Sequence, residues 1–120
     1  MRVIAQHEFD KFPINCTLKN CPTGDYSGVK LNNTRCHFAK GCILPAWTYF
    51  PSYSVFDESC NFGECCWFGE NCSFERYCWF GKYCHFSKLC SFKFECDFED
   101  GCRFQDFCHF ETVDADVVFL

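Results

Sequence analysis

From Cys36 to Val113 the chain repeats a six-residue unit thirteen times without losing phase. A small residue opens each unit: Cys at most places, Thr48 and Ser54 at two of them. A large apolar residue follows two places later, almost always Phe. The stretch "CILPAWTYFPSYSVFDES" looks like a break but holds the phase, with Leu44, Phe50 and Phe56 in the large slot. This period constrains the fold more than any other feature. The first and third positions share parity, so in a strand both point to one side. A helix cannot use the pattern, because six residues turn through 600° and scatter the small positions around the axis. The second, fourth and sixth positions then face water, and they are occupied by residues such as His, Ser, Asp, Arg, Lys and Trp. Gly63, Gly69, Gly81, Pro45 and Pro51 all fall at position four, which is where we expect the chain to bend.

A short strand followed by a bend, repeated every six residues, builds a solenoid. With three units per coil, residues eighteen apart stack at the strand spacing of about 4.8 Å. Three internal columns are expected. They are Phe38, Phe56, Phe74, Phe92 and Phe110; Leu44, Phe62, Phe80 and Phe98; and Phe50, Phe68, Phe86 and Phe104. Cysteine is then the small apolar residue beside large rings. Seventeen Phe and fourteen Cys replace the aliphatic residues that fill ordinary cores.

Read from the large residue, the motif is F-G-x-x-C-x, as in "FGENCS" and "FGKYCH". It resembles the hexapeptide repeat of left-handed parallel β-helix proteins, with Cys and Phe in place of that family's usual small and aliphatic residues. The resemblance covers about two thirds of the chain and implies a triangular, all-β, left-handed solenoid of about five coils with little or no helix. Residues 1–35 do not hold the phase; "INCTL" and "GVKLN" read as strand pieces of an irregular N-terminal coil and cap. Residues 36–113 form the solenoid. Asp114 and Asp116 fall in core slots, so residues 114–120 are a terminal tail or cap.

Fourteen cysteines first suggest a secreted disulfide scaffold. The opening "MRVIAQHEFD" has no apolar h-region and no cleavage site, and stacked Cβ vectors run parallel. We therefore expect reduced thiols and a cytoplasmic protein. No run of about 18 apolar residues exists to span a membrane. No C-x-x-C pair occurs, and residues six apart on one face do not converge on a tetrahedron, so no metal or other cofactor is expected.

Two surfaces are candidates for function. The first is aromatic: Trp47, Tyr49, Trp67 and Tyr83 follow one another coil by coil on one face, with Tyr77 and Trp79 on the neighbouring face. Such rings suit a protein-binding or dimer surface. The second is acidic. Residues 94–120 carry eight acids against one base, Arg103, in a chain whose net charge is −5. Glu95, Asp97, Glu99, Asp100, Asp106 and Glu111 would present that charge at one end. Short acidic solenoids resemble pentapeptide-repeat proteins that imitate duplex DNA. That resemblance implies a small inhibitor that occupies a nucleic-acid-binding protein, of the gyrase-inhibitor or phage anti-CRISPR kind, without binding nucleic acid itself.

The alternative is a structural or assembly module, monomeric or homodimeric, that uses the aromatic face. Hexapeptide acyltransferases, and the related zinc carbonic anhydrases, use histidines at their sites. His37 and His109 share a face here but lie four coils apart, about 19 Å, and His85 is on another face. A non-enzymatic binding protein is the expectation.

Overall fold

The computed structural model describes residues 1–111. The chain enters through a six-residue helix, α1 (Gln6–Lys11), the single helix among the described residues. The Glu8 side chain turns back to accept from the Ala5 amide, 3.1 Å away, and closes the first turn. An antiparallel pair follows, β1 (Ile14–Asn15) and β2 (Leu18–Cys21), joined by Cys16 and Thr17, both at positive φ. "INCTL" thus spans a tight hairpin, not one strand piece. "GVKLN" enters no paired strand, although Val29 and Leu31 are buried.

From Cys36 onward the strands are two or three residues long and come every six residues. They are β3 (Cys36–Phe38), β4 (Ile43–Leu44), β5 (Tyr49–Phe50), β6 (Val55–Phe56), β7 (Asn61–Phe62) and β8 (Trp67–Phe68). The series continues with β9 (Ser73–Phe74), β10 (Trp79–Phe80), β11 (His85–Phe86) and β12 (Ser91–Phe92). It closes with β13 (Asp97–Phe98), β14 (Arg103–Phe104) and β15 (His109–Phe110). Each of β3 to β12 pairs in parallel with the strand three further on. Three sheets result: a seven-stranded one ordered β1-β2-β3-β6-β9-β12-β15, and two of four strands, β4-β7-β10-β13 and β5-β8-β11-β14. The molecule is a parallel β-solenoid of about five coils.

The register is the eighteen-residue one expected: Trp67 pairs with His85, Phe68 with Phe86 and Phe80 with Phe98. Rings within a column lie parallel, 4.7 Å apart between Phe62 and Phe80 and 4.8 Å between Phe68 and Phe86. Neighbouring columns meet edge to face, as Phe68 and Phe74 do at 83°. Both arrangements are favourable for aromatic quadrupoles. Each fully buried Phe contributes about 1.5–3 kcal/mol of transfer free energy.

The thiols have a task beyond filling space. Cys66 donates to the Pro45 carbonyl at 3.2 Å, Cys72 to Pro51 at 3.4 Å and Cys90 to Gly69 at 3.4 Å. From Cys60 to Cys108 every cysteine that opens a hexad has an acceptor twenty-one residues back, at position four of the coil beneath. Without its thiol the Pro45 carbonyl would lack a donor among the described residues. Where a hydroxyl replaces the thiol it turns back to the preceding hexad instead: Thr48 donates to Ala46 at 3.0 Å and Ser54 to Pro51 at 2.6 Å. All fourteen cysteines are unbridged.

The corner is not at position four. The chain turns at positions five and six, and position six takes positive φ throughout, as at Cys65 (59°), Tyr83 (61°) and Leu89 (66°). Bulky residues pay for that conformation. The cost is offset because the position-six amide donates to the next coil; the Tyr83 amide reaches the Asp100 carbonyl at 3.0 Å. The position-four glycines have another purpose. A Cβ on Gly63 would lie 2.7 Å from Ala46 Cα, so they let successive coils approach.

Position five carries a pattern visible only once the register is known. One coil presents Glu58, Glu64 and Glu70; the next Arg76, Lys82 and Lys88; the next Asp100 and Asp106 beside Phe94. Rings of opposite charge alternate along the tube, and Arg76 reaches Glu58 at 3.3 Å.

Candidate functional site

Alternation within each strand sends position two outward, so the β5-β8-β11-β14 sheet shows Tyr49, Trp67, His85 and Arg103 in one row. The preceding corner sets a second row two residues away: Trp47, Cys65, Tyr83 and Gly101. The structure therefore brings together four of the expected aromatics. Trp47 is 75% exposed, Tyr83 61%, Trp67 54% and Tyr49 51%. For a tube whose Phe columns are sealed from Phe38 to Phe92, this is a large apolar surface to leave in water.

Between the rows lie two cavities. One, of about 330 Å³, is lined by Trp47, Thr48, Tyr49, Cys65, Trp67 and Tyr83. The other, of about 320 Å³, is lined by Trp67, Tyr83, Cys84, His85, Gly101 and Arg103. Trp67 and Tyr83 form the wall between them. Both walls are held. Trp67 stacks on His85 with ring centroids 4.2 Å apart and planes 5° from parallel. Tyr83 lies across Gly101; a Cβ there would sit 2.3 Å from the ring. Burial, with the Arg103 charge next to it, pushes the His85 imidazole below its usual pKa, which favours the neutral ring against the indole. Its Nδ1 is buried without a hydrogen-bond partner among the described residues.

Tyr77 and Trp79 are placed elsewhere. Trp79 projects from β10 in the neighbouring sheet, and Tyr77 occupies the corner before it, its ring edge-on to Phe94 at 6.2 Å. They do not extend the groove.

The acidic residues wrap around the last described coils instead of lining one face. Asp97 projects from β13; Glu99 and Asp100 follow it into a corner; Asp106 is at the next corner and Glu95 at the one before. Glu111 lies 3.3 Å from Lys93 as an ion pair. This is also the end where β13, β14 and β15 have no further strand among the described residues. Phe104, Phe107 and Phe110 are 37%, 78% and 47% exposed there. The remaining acids, Asp114 and Asp116, lie outside the described residues.

The histidines stay apart. His37 is in β3 and His109 in β15, with three strands of the seven-stranded sheet between them, and His85 is in a different sheet. His37 is bonded to Asp57 at 2.8 Å. The buried thiols are shifted in opposite directions along each column: contact with Cys84 lowers Cys66 and contact with Cys90 lowers Cys72, while their partners are raised. Contact with Cys60 and then burial push the Cys42 thiol up; Cys84 is raised in the same way by Cys66 and burial, and Cys90 by Cys72 and burial. Among the described residues no helix is long and apolar enough to cross a membrane, and no group of three His, Cys, Asp or Glu is placed to hold a metal.

The aromatic row could be anticipated from the hexad phase. The eighteen-residue register also orders Trp67 next to His85 and sets out the corner row; what the sequence hid was the face-to-face stacking of those rings and the contact of Tyr83 with Gly101. Comparison with protein families, curated proteins and solved structures finds no match to this chain.

Proposed function

We propose that this chain is a non-enzymatic β-solenoid that binds another protein through the groove of the β5-β8-β11-β14 sheet. One observation carries the reading: four exposed aromatic rings border two adjoining cavities, and two of those rings are fixed in place by His85 and Gly101. Rigid aromatic anchors around a concavity are what protein hot spots are made of. Fourteen unbridged thiols suit a reducing cytoplasm. The same face could join two copies of the chain as an assembly module.

A second reading is favoured by the acidic end. Glu95, Asp97, Glu99, Asp100 and Asp106 surround three strands that have no further neighbour among the described residues, and a basic partner would meet both charge and apolar surface there. In its strongest form the end is a DNA-like decoy that occupies a nucleic-acid-binding protein. The alternating charge rings further down the tube limit such a decoy to the last coils.

Captured partners separate the readings. A partner held by wild type and by Trp79→Ala, but lost with Trp67→Ala, supports the groove. One lost with Glu99→Lys/Asp100→Lys and kept by Trp67→Ala supports the acidic end instead. Partners indifferent to both sets of substitutions would overturn both.

A further inference from the structure

We infer that the groove takes a proline-rich segment in the polyproline II conformation, with two x-Pro steps three residues apart and an acidic side chain reaching Arg103. The inference rests on the reading that this face binds protein. The corner row runs large, small, large, small through Trp47, Cys65, Tyr83 and Gly101. It therefore repeats every two coils, about 9.6 Å at the strand spacing. A polyproline II helix repeats every three residues, about 9.3 Å. The two periods match closely enough for successive prolines to meet equivalent parts of the row.

Other backbone shapes fit less well. The second row sits at the corner two residues before the first, so their backbones are at most about 7 Å apart, which is narrow for an α-helix of about 10–12 Å diameter. An added β-strand needs a sheet edge, and this is a sheet face whose backbone groups already bond between coils, as Trp67 N–H does to Thr48 at 2.9 Å. The row flanking the corners runs Ala46, Glu64, Lys82 and Asp100, mixed in sign, and gives a phosphate backbone no basic track to follow. Polyproline II needs neither edge nor width: it has no internal hydrogen bonds, is stiff before binding, and packs its rings between aromatic walls. Trp67 and Tyr83 are such walls, set in advance by His85 and Gly101.

Charge fixes the end of the segment. Arg103 closes the row beside the second cavity and makes no ion pair among the described residues. An acid in the ligand next to the second proline would complement it.

The test is fluorescence anisotropy with labelled twelve-residue peptides carrying P-x-x-P followed by Glu. Saturable binding is expected, weakened at least tenfold by changing both prolines to Ala and by Trp67→Ala, and several-fold by Arg103→Ala. Trp79→Ala should bind as wild type. Trp67→Phe, which keeps a ring on His85, should retain part of the affinity and guards against misfolding as the explanation. Equal binding of the proline-free peptide, or binding indifferent to Trp67, overturns the inference. An unbiased peptide selection on the same protein distinguishes the two levels. Selected peptides without proline that still need Trp67 would defeat this inference and leave the protein-binding reading standing. If none depends on Trp67 or Tyr83, both fail. A dimer in sedimentation that Trp67→Ala dissolves would make a second copy the occupant and overturn the proline assignment.

Discussion

Trp67 and His85, eighteen residues apart in sequence, lie face to face on adjacent strands with 4.2 Å between ring centroids. The pair joins the fold to the groove: the register that stacks the Phe columns inside also stacks these rings outside.

That contact should make stability depend on pH. Burial and Arg103 hold the His85 pKa below the ordinary 6.5. Below that ordinary value the unfolded chain binds a proton that the folded chain resists, so stability should fall as pH drops through the window just under 6.5. His85→Phe keeps a stackable ring without the proton. Urea unfolding at several pH values should show its slope in this window flattened relative to wild type. An unchanged slope would mean that His85 does not titrate as described.

The thiol ladder makes a sharper claim about chemistry. Cys66 Sγ is 3.2 Å from the Pro45 carbonyl. Cys66→Ala leaves that buried acceptor without a donor and should cost about 1–3 kcal/mol. Cys66→Ser keeps a donor, as Ser54 does in its own hexad, and should cost less. Equal losses in denaturant titrations would show the thiol to be filler only.

Ring position along the tube sets the cost of opening the core. Phe68 is fully buried between Phe50 and Phe86, whereas Phe104, at the last coils, is 37% exposed. Phe68→Ala should cost about 3–5 kcal/mol and Phe104→Ala less than half of that. Comparable losses would contradict the described burial gradient.

The alternating charge rings predict a salt-dependent effect. Changing Arg76, Lys82 and Lys88 together to Glu puts like charges on three successive coils. At about 0.2–1 kcal/mol per exposed pair, the loss should be on the order of 1–3 kcal/mol in low salt and should shrink at about 1 M salt. Changing Glu58, Glu64 and Glu70 to Lys in the same protein should restore much of it. Loss without salt dependence would assign the effect to packing.

Much of this architecture can be read from the hexad phase, because a side-chain period of two and a fixed strand spacing leave few ways to place Cys and Phe every six residues. The Phe columns, the outward Trp67 and Tyr83, and the separation of His37 from His85 follow directly. The corner does not. Gly63 and Pro45 suggested a bend at position four, yet the turn falls at positions five and six, where Tyr83 and Leu89 adopt positive φ that their identities give no hint of. Position-four glycine answers to the neighbouring coil instead, a contact seventeen residues away. Residues 1–35 lack a repeat, so α1 and the β1–β2 hairpin had no periodic signal. The thiol-to-carbonyl bonds and the charge rings were written in the sequence throughout, but they become legible only when residues are aligned eighteen apart.

That alignment is the claim everything else depends on, and nuclear Overhauser contacts in a uniformly labelled sample test it most directly. The account predicts backbone contacts between Asn61 and Trp79 and between Trp67 and His85, and a protected Gly81 amide next to Phe62, its acceptor at 3.0 Å. Contacts recurring at twelve or twenty-four residues, or none recurring at a fixed interval, would contradict it.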